Sequence, residues 1–210
     1  MKDYLLNYWK SSGVIKDKEL LKAFKTVPRE KFIRESYLSE AYGDYPLPIG
    51  HGQTISQPTT VMMMTQALEL KTGDKVLEVG AGSGYQAAII AKVIGAKGKV
   101  ITTEIISELV LFARENLEKA DIKNVEVICW DGSKGYEKQA PYDKIIVTAA
   151  CPKIPKPLIE QLKENGIIVA PVGSLFFGQN MIKAKKVKGE LIQESLGQFV
   201  FVPLKGEHGY

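Results

Sequence analysis

Short apolar runs that alternate with helical patterns across residues 75–173 constrain the fold of this chain more than any other feature. Helical patterns occur at 83–95, 107–120 and 155–165. Because parallel strands are buried on both faces and are connected through helices, this order predicts an α/β fold with a doubly wound, mostly parallel sheet. The strand-like runs are KVLEVG (75–80), GKVITTEI (98–105), VEVICW (125–130), YDKIIVTAA (142–150) and GIIVAPVG (166–173).

The N-terminal part of the chain has a different pattern. Amphipathic runs at 3–11 and 17–26 predict small helices, and Pro28 suits the first turn of a further short element. Residues 40–56 are rich in Gly and Pro and are predicted to form a loop. Residues 57–70 are apolar on almost every side, which is typical of a buried helix.

The C-terminal part predicts an antiparallel addition to the sheet. Alternating runs within 180–204 meet at Lys188-Gly189-Glu190, the pattern of a C-terminal antiparallel hairpin. We therefore expect an N-terminal helical segment with a loop over 1–56 and an α/β domain over 57–210, packed as one unit.

Composition excludes several classes of protein. The chain has 210 residues, 45% of them hydrophobic and 25% charged, which is typical of a soluble globular domain. A net charge of +4 is too weak to indicate a nucleic-acid partner, and no apolar run is long enough to span a membrane. Cys129 and Cys151 have no metal-ligand spacing and are expected to be free core residues, so we expect a cytoplasmic location and no metal.

A glycine-rich turn follows the first predicted strand of the sheet. In VLEVGAGSGYQAA, three glycines, Gly80, Gly82 and Gly84, stand where the strand gives way to a helix. Glycine there permits positive φ and lets a ligand approach the backbone. Any tight strand-to-helix turn can use glycine, and the dinucleotide fingerprint is broken because Tyr85 occupies the position of its third glycine.

Acidic residues near the ends of successive predicted strands narrow the choice of ligand. Glu104 follows the glycine turn by about 20 residues, the spacing of a carboxylate that binds ribose hydroxyls. Glu78 suits a ligand with an ammonium group, and Asp131 could accept a hydrogen bond from an adenine amine beside Trp130 or Ile105. An amine, a ribose and an adenine together describe S-adenosylmethionine.

The chain resembles the protein-L-isoaspartate O-methyltransferases over nearly its whole length. The glycine turn is shared by many methyltransferases, whereas TISQP and the VPL tail are specific to this family. The segments that carry the resemblance are VPREKF (27–32), AYGDYPLPIGHGQTISQP (41–58), VLEVGAGSGYQ (76–86), DG (131–132), YDKIIVTAA (142–150), LKENGIIVAPVG (162–173) and FVPLKGEHGY (201–210).

This resemblance implies a class I S-adenosylmethionine-dependent methyltransferase fold and a set of site residues. Ser56 would be the active-site serine, although Ser-Gln-Pro is also a fair helix start and Ser56 could be a helix cap. His51 is expected to be structural or exposed. Together with the acids and glycines above, the cofactor-binding set is Gln53, Thr54, Ile55, Ser56, Glu78, Gly80, Gly82, Gly84, Glu104, Asp131, Gly132 and Lys205.

The resemblance also implies the reaction. A methyl group would pass from S-adenosylmethionine to the free carboxylate of L-isoaspartyl residues in damaged proteins and peptides, leaving S-adenosylhomocysteine. The ester would then cyclise to a succinimide that opens partly to aspartate. Because a carboxylate with a pKa near 4 is ionised at neutral pH, the acceptor needs alignment and desolvation rather than a general base.

Two other functions are compatible with the glycine turn. A methyltransferase for a small molecule or RNA would share the cofactor site but would leave GQTISQP unexplained, and the chain lacks a basic stripe. A nucleotide-binding regulatory module would bind the cofactor without needing a serine-bearing loop. Equilibrium binding of the cofactor together with methyl transfer to an isoaspartyl peptide distinguishes these possibilities.

Overall fold

The computed structural model describes residues 1–210 and begins with small helical elements. Helices α1 (Lys2–Ser12) and α2 (Lys18–Thr26) precede short 3-10 helices at Arg29–Phe32 and Glu35–Glu40. Asp17 caps α2, because its side chain accepts hydrogen bonds from the N–H groups of Glu19 and Leu20.

The region predicted as a loop over 40–56 is partly ordered into a two-stranded antiparallel sheet. Strands β1 (Leu47–Gly50) and β2 (Gln53–Ile55) pair with each other, and His51 and Gly52 form the turn with positive φ. The loop prediction was wrong here because glycines that break one strand also permit the tight turn of a hairpin. Helix α3 (Pro58–Ala67) follows at once and carries the buried face expected of 57–70.

The α/β region follows the predicted order, and the fold class is confirmed. The strands lie in the order β5-β4-β3-β6-β7-β8-β9, parallel from β5 to β7 and antiparallel from β7 to β9. In chain order the elements are β3 (Lys75–Val79), α4 (Tyr85–Ile94), β4 (Lys99–Glu104), α5 (Ser107–Lys119), β5 (Val125–Cys129), β6 (Tyr142–Val147), α6 (Lys156–Gln161), β7 (Leu162–Ser174), β8 (Gly178–Val187) and β9 (Glu190–Phe199).

The boundary between α6 and β7 differs from the prediction. The helix was expected to reach residue 165, yet it ends at Gln161, and the strand begins at Leu162. Leu162 is buried and pairs with Tyr142 of β6, while Asn165 takes a positive φ in the irregular part of the strand. A tertiary contact therefore overrides the helical propensity of LKEN.

The sheet separates two buried clusters, and the N-terminal helices belong to one of them. Alternate residues of β3 point to opposite faces, so Val76 lies in the larger cluster and Leu77 in the smaller. Trp9 and Phe24 of the first two helices share the larger cluster with Ile89 of α4. The two predicted parts of the chain therefore pack against a common core.

The cysteines do not match the expectation that both are core residues. Cys151 is buried, whereas Cys129 is exposed at the end of the edge strand β5; both are free thiols. No helix in the structure has both the length and the apolar character that crossing a bilayer would require.

Candidate active site at the carboxyl ends of the parallel strands

The strand order reverses at β3, because β4 and β5 lie on one side of this strand and β6 lies on the other. Ligands of open α/β sheets bind where the strand order reverses, outside the carboxyl ends of the strands. The glycine turn leaves β3 at this place. Gly80 has φ +98°, and a side chain on it would collide with the hydroxyl of Thr148.

Thr148 was missed by the sequence interpretation. It follows β6, and its Oγ1 donates to the carbonyls of Val79 and Gly80, at 3.0 and 2.7 Å. These bonds lock the backbone of the glycine turn to the neighbouring strand. A hydroxyl residue directly after the apolar run YDKIIV was the available signal.

Glu104 ends β4 and is held rigidly. Its Oε2 accepts from the N–H of Gly82 at 2.9 Å, and its Oε1 accepts from the N–H of Ile106 at 3.0 Å. The side chain is buried. Each oxygen has remaining lone-pair capacity, so the carboxylate can also accept from hydroxyls of a ligand.

Two adjoining cavities open here and share Gln53, Gly80, Glu104 and Ala149. Beyond the shared residues, the first is lined by Thr54, Ile55, Ser56, Val61, Met64, Ala81, Gly82, Ser83, Tyr85, Gln86, Thr148 and Val202. The second is lined by Val79, Thr103, Ile105, Ile106, Trp130, Gly132, Pro203, Leu204 and Lys205. The first therefore contains the serine-bearing segment, and the second contains the two side chains expected beside an adenine.

The interpretation of Ser56 as a helix cap is wrong. Gln57 is the N-cap residue of α3, and it makes no side-chain capping bond. Asp44 serves the helix start instead, because its carboxylate accepts from the N–H and the hydroxyl of Thr59, at 2.9 and 2.7 Å. The Ser56 hydroxyl makes no hydrogen bond within the protein and faces both the first cavity and an outer groove.

The structure does not bring Glu78 to either cavity. Its side chain is fully buried, and neither carboxylate oxygen has a hydrogen-bond partner. The neighbouring residue on β4 is Thr102, whose hydroxyl is also unpartnered. Burial raises the pKa of Glu78 to about 8. The carboxyl is therefore mostly protonated at neutral pH.

Asp131 lies beside the second cavity and holds the C-terminal tail. Its Oδ1 accepts from the N–H and hydroxyl of Ser133, and its Oδ2 accepts from the N–H of Glu207 at 2.9 Å. Burial raises the pKa of Asp131, but these hydrogen bonds more than offset that effect and keep it below its ordinary value. Lys134 forms an ion pair with Glu207, at 2.6 Å, on the same stretch of tail.

Gly84 and His51 also lie outside the cavities. Gly84 begins α4 and packs against α5, where an added Cβ would be 3.2 Å from Ala113 O and from Leu117. It therefore serves helix packing. His51 is exposed at the turn between β1 and β2, as expected for a structural or surface residue.

Similarity to known proteins covers the whole chain. The family model described as Protein-L-isoaspartate(D-aspartate) O-methyltransferase (PCMT) matches residues 1–209. A protein-L-isoaspartate O-methyltransferase 2 of Archaeoglobus fulgidus is 53% identical over 193 residues, which cover 92% of this chain and 88% of the relative. A protein-L-isoaspartate O-methyltransferase of Pyrococcus horikoshii is 48% identical over 96% of this chain and 91% of its own.

Solved structures show the same similarity. A structure of a protein-L-isoaspartate O-methyltransferase is 33% identical, with a TM-score of 0.91 over 100% of this chain and 67% of the other. A Plasmodium falciparum structure, described as a beta-aspartate methyltransferase (PCMT) in complex with S-adenosyl-L-homocysteine, is 29% identical. Its TM-score is 0.83 over 96% of this chain and 97% of the other.

Proposed function

This chain belongs to the protein-L-isoaspartate(D-aspartate) O-methyltransferase family, and we propose that it carries out the family's reaction in the two adjoining cavities at the carboxyl ends of β3, β4 and β6. It transfers a methyl group from S-adenosylmethionine to the free carboxylate of L-isoaspartyl residues, and S-adenosylhomocysteine is the product. Methylation starts repair, because the ester cyclises to a succinimide that reopens partly as aspartate.

The residues around the cavities fit S-adenosylmethionine. Glu104 has lone pairs left that would accept from the ribose hydroxyls, and the backbone at Gly80 and Gly82 would hold the amino-acid end of the cofactor. Ile105 and Trp130 line the second cavity with apolar surface suited to an adenine ring, and Gly132 and Lys205 complete its wall. When bound, this cofactor supplies the electrophilic methyl group.

The first cavity fits an acceptor that is already ionised. Its lining has hydroxyl and amide donors, including Ser56, Thr54 and Gln53, but no histidine or lysine. Such donors stabilise a desolvated carboxylate without removing its charge. The unbonded hydroxyl of Ser56, in the same cavity as Gly80 and Glu104, is the observation that carries this proposal, because it is free to donate to an acceptor carboxylate.

An outer groove continues from the first cavity and supports a peptide as the substrate. Ser56, Thr54 and Thr148 line both the cavity and the groove. The far wall of the groove is the extended segment 198–202, with Val200 largely exposed. An isoaspartyl side chain in the cavity would leave its flanking main chain in this groove, so we propose damaged proteins and peptides as the partners, in the cytoplasm.

The test is methyl transfer to paired peptides. One peptide carries L-isoaspartate and the other carries aspartate at the same position, and both are incubated with labelled S-adenosylmethionine. We expect base-labile label in the isoaspartyl peptide alone, because the added main-chain methylene places its carboxylate differently. Equal labelling of both peptides would refute the substrate assignment, and cofactor binding without labelling would favour a regulatory module.

A further inference from the structure

Arg29 is a fully buried arginine without an acidic partner. Its Nε donates to the carbonyl of Ala41 and its Nη2 to the carbonyl of Ser56, each at 2.8 Å. Nη1 has no hydrogen-bond partner, and no carboxylate lies within ion-pairing distance of the guanidinium. Burying a charge without a counter-ion is costly, so this arrangement calls for an explanation beyond packing.

The position of the guanidinium is directly behind the wall of the first cavity. Ser56, whose carbonyl it binds, lines that cavity, and so does Tyr85. The central carbon of the guanidinium lies 4.9 Å from the centre of the Tyr85 ring, the geometry of a cation–π contact. Tyr85 is the residue that replaces the third glycine of the dinucleotide fingerprint, so this departure from the fingerprint puts an aromatic ring that contacts the cation into the cavity lining.

The acidic residues near Arg29 form hydrogen bonds with other residues and not with its guanidinium. The carboxylate of Glu30 accepts the hydroxyl of Tyr42, and that of Asp44 accepts from Thr59. Burial lowers the pKa of Arg29, but arginine starts from a value so high that it remains a cation at neutral pH. Asp44 acts on that charge only from beyond ion-pairing distance, so the charge is offset in part and not neutralised by a direct partner.

We propose that Arg29 is a positioning residue for methyl transfer, which fixes the carbonyl of Ser56 and adds positive potential at the Ser56 end of the first cavity, away from the carboxylate of Glu104 that also lines it. This inference rests on the proposed role of the Ser56 segment in holding the acceptor carboxylate. Positive potential near Ser56 attracts the anionic acceptor and does not attract its neutral methyl ester, so it favours substrate entry and product departure. It also disfavours the sulfonium cation of S-adenosylmethionine relative to the neutral thioether of S-adenosylhomocysteine.

The charge of Arg29 is tested by substitution with glutamine. R29Q keeps a donor and removes the charge, whereas R29K keeps the charge and loses the planar fork. We expect R29Q to raise KM for an isoaspartyl peptide on the order of tenfold, and R29K to raise it less. Calorimetry gives the dissociation constants of S-adenosylmethionine and S-adenosylhomocysteine. The ratio of the first to the second should be several-fold lower in R29Q than in the wild type, and R29K should keep the wild-type ratio.

Arg34 provides a matched control. Its Nε and Nη2 donate to the carbonyl of Ile49, at 2.9 and 2.7 Å, and its guanidinium carbon lies 4.4 Å from the centre of the Phe112 ring. It thus makes the same kinds of contact to the neighbouring strand β1, but it is exposed to solvent and its carbonyl partner lines neither cavity. R34Q should lower the melting temperature while leaving KM and the ratio of the two dissociation constants unchanged.

The outcomes separate this inference from the proposed function. An R29Q enzyme with a wild-type KM for the peptide and a wild-type ratio of dissociation constants would overturn the role of the charge. Changes in KM and in this ratio that are as large in R34Q as in R29Q would overturn it too. If R29Q is too unstable to purify, R29K decides: a raised peptide KM with an unchanged ratio supports the inference, and a wild-type KM or a shifted ratio refutes it. If the wild type methylates no isoaspartyl peptide, the proposed function fails, yet the calorimetric ratio still reports on Arg29.

Discussion

The carboxylate of Glu104 and the backbone N–H of Gly82 are joined by a hydrogen bond of 2.9 Å, which ties the end of β4 to the glycine turn after β3. The bond spans two parallel neighbouring strands, so the residue expected to hold the ribose also fixes the turn expected to face the rest of the cofactor. If Glu104 binds the ribose as proposed, ligand binding and loop geometry are coupled through a single side chain.

Glu104→Ala should weaken S-adenosylmethionine binding by about tenfold to a hundredfold, because it removes an ionised acceptor and releases the turn. Isothermal calorimetry measures the loss. Glu115→Ala is the control, since Glu115 lies on the exposed face of α5 and pairs only with Lys119 at 3.6 Å. Unchanged affinity in the Glu104 variant would mean that this carboxylate does not bind the ribose.

Ser56→Ala should lower kcat on the order of tenfold to a thousandfold, because the acceptor carboxylate loses a donor. Binding of S-adenosylhomocysteine should change little. Asp44→Ala gives the opposite pattern: it removes the cap of α3 and should cost about 1 kcal/mol of stability. A Ser56 variant that loses stability but keeps full turnover would contradict the catalytic role.

Glu78→Gln should make stability less dependent on pH. The buried carboxyl keeps its proton up to about pH 8, whereas in the unfolded chain it loses the proton near its ordinary pKa of 4.5. The native state therefore binds more protons than the unfolded state across this pH range. The contribution of Glu78 to the free energy of unfolding consequently falls as pH rises, by up to about 1.4 kcal/mol per pH unit. Urea unfolding of both proteins between pH 5 and 8 measures the difference. Parallel pH profiles for wild type and variant would show that Glu78 is not protonated in the fold.

Gly206→Ala should release the C-terminal tail from Asp131. Gly206 has φ +131°, and a Cβ there would collide with Oδ1 of Asp131. Because Leu204 and Lys205 line the second cavity, a detached tail should also weaken cofactor binding. Hydrogen exchange of residues 204–210 and calorimetry report both effects. Gly197→Ala is the matched control, since Gly197 has φ +111° with no atom near its added Cβ; a similar effect in both variants would refute a specific Asp131 contact.

Ageing of the protein should damage Asn165 before Asp131, although glycine follows both. Succinimide formation requires the next backbone nitrogen to reach the side-chain carbonyl, and three hydrogen bonds restrain the Asp131 carboxylate. Asn165 is exposed and makes no side-chain hydrogen bond. Peptide mapping after warm incubation, with and without S-adenosylhomocysteine, should find isoaspartate first at position 165. Equal rates at both sites, with or without ligand, would argue against a protected Asp131.

Asn165 also shows where local sequence stops being informative. Residues 162–165 have the composition of a helix end, but Leu162 pairs with Tyr142 of the neighbouring strand, and Lys163 reaches Asp143 at 2.6 Å. These partners are about 20 residues away in sequence, so no local pattern could reveal them. Similarly, Arg29 stands in the segment VPREKF without any sign of its contact with Ser56.

By itself, the sequence determined the alternation of strands and helices, the parallel sheet with its antiparallel hairpin, the glycine turn and the acid at the end of β4. These features follow from periodicity and backbone conformation, which neighbouring residues dictate. Only the tertiary structure decided which polar groups face the cavities: Glu104 does, Glu78 is fully buried without a hydrogen-bond partner, and Asp131 binds the tail. The physical reason is that the burial and hydrogen-bond partners of a side chain depend on segments that are distant in sequence and meet only when the sheet, the N-terminal helices and the tail pack together.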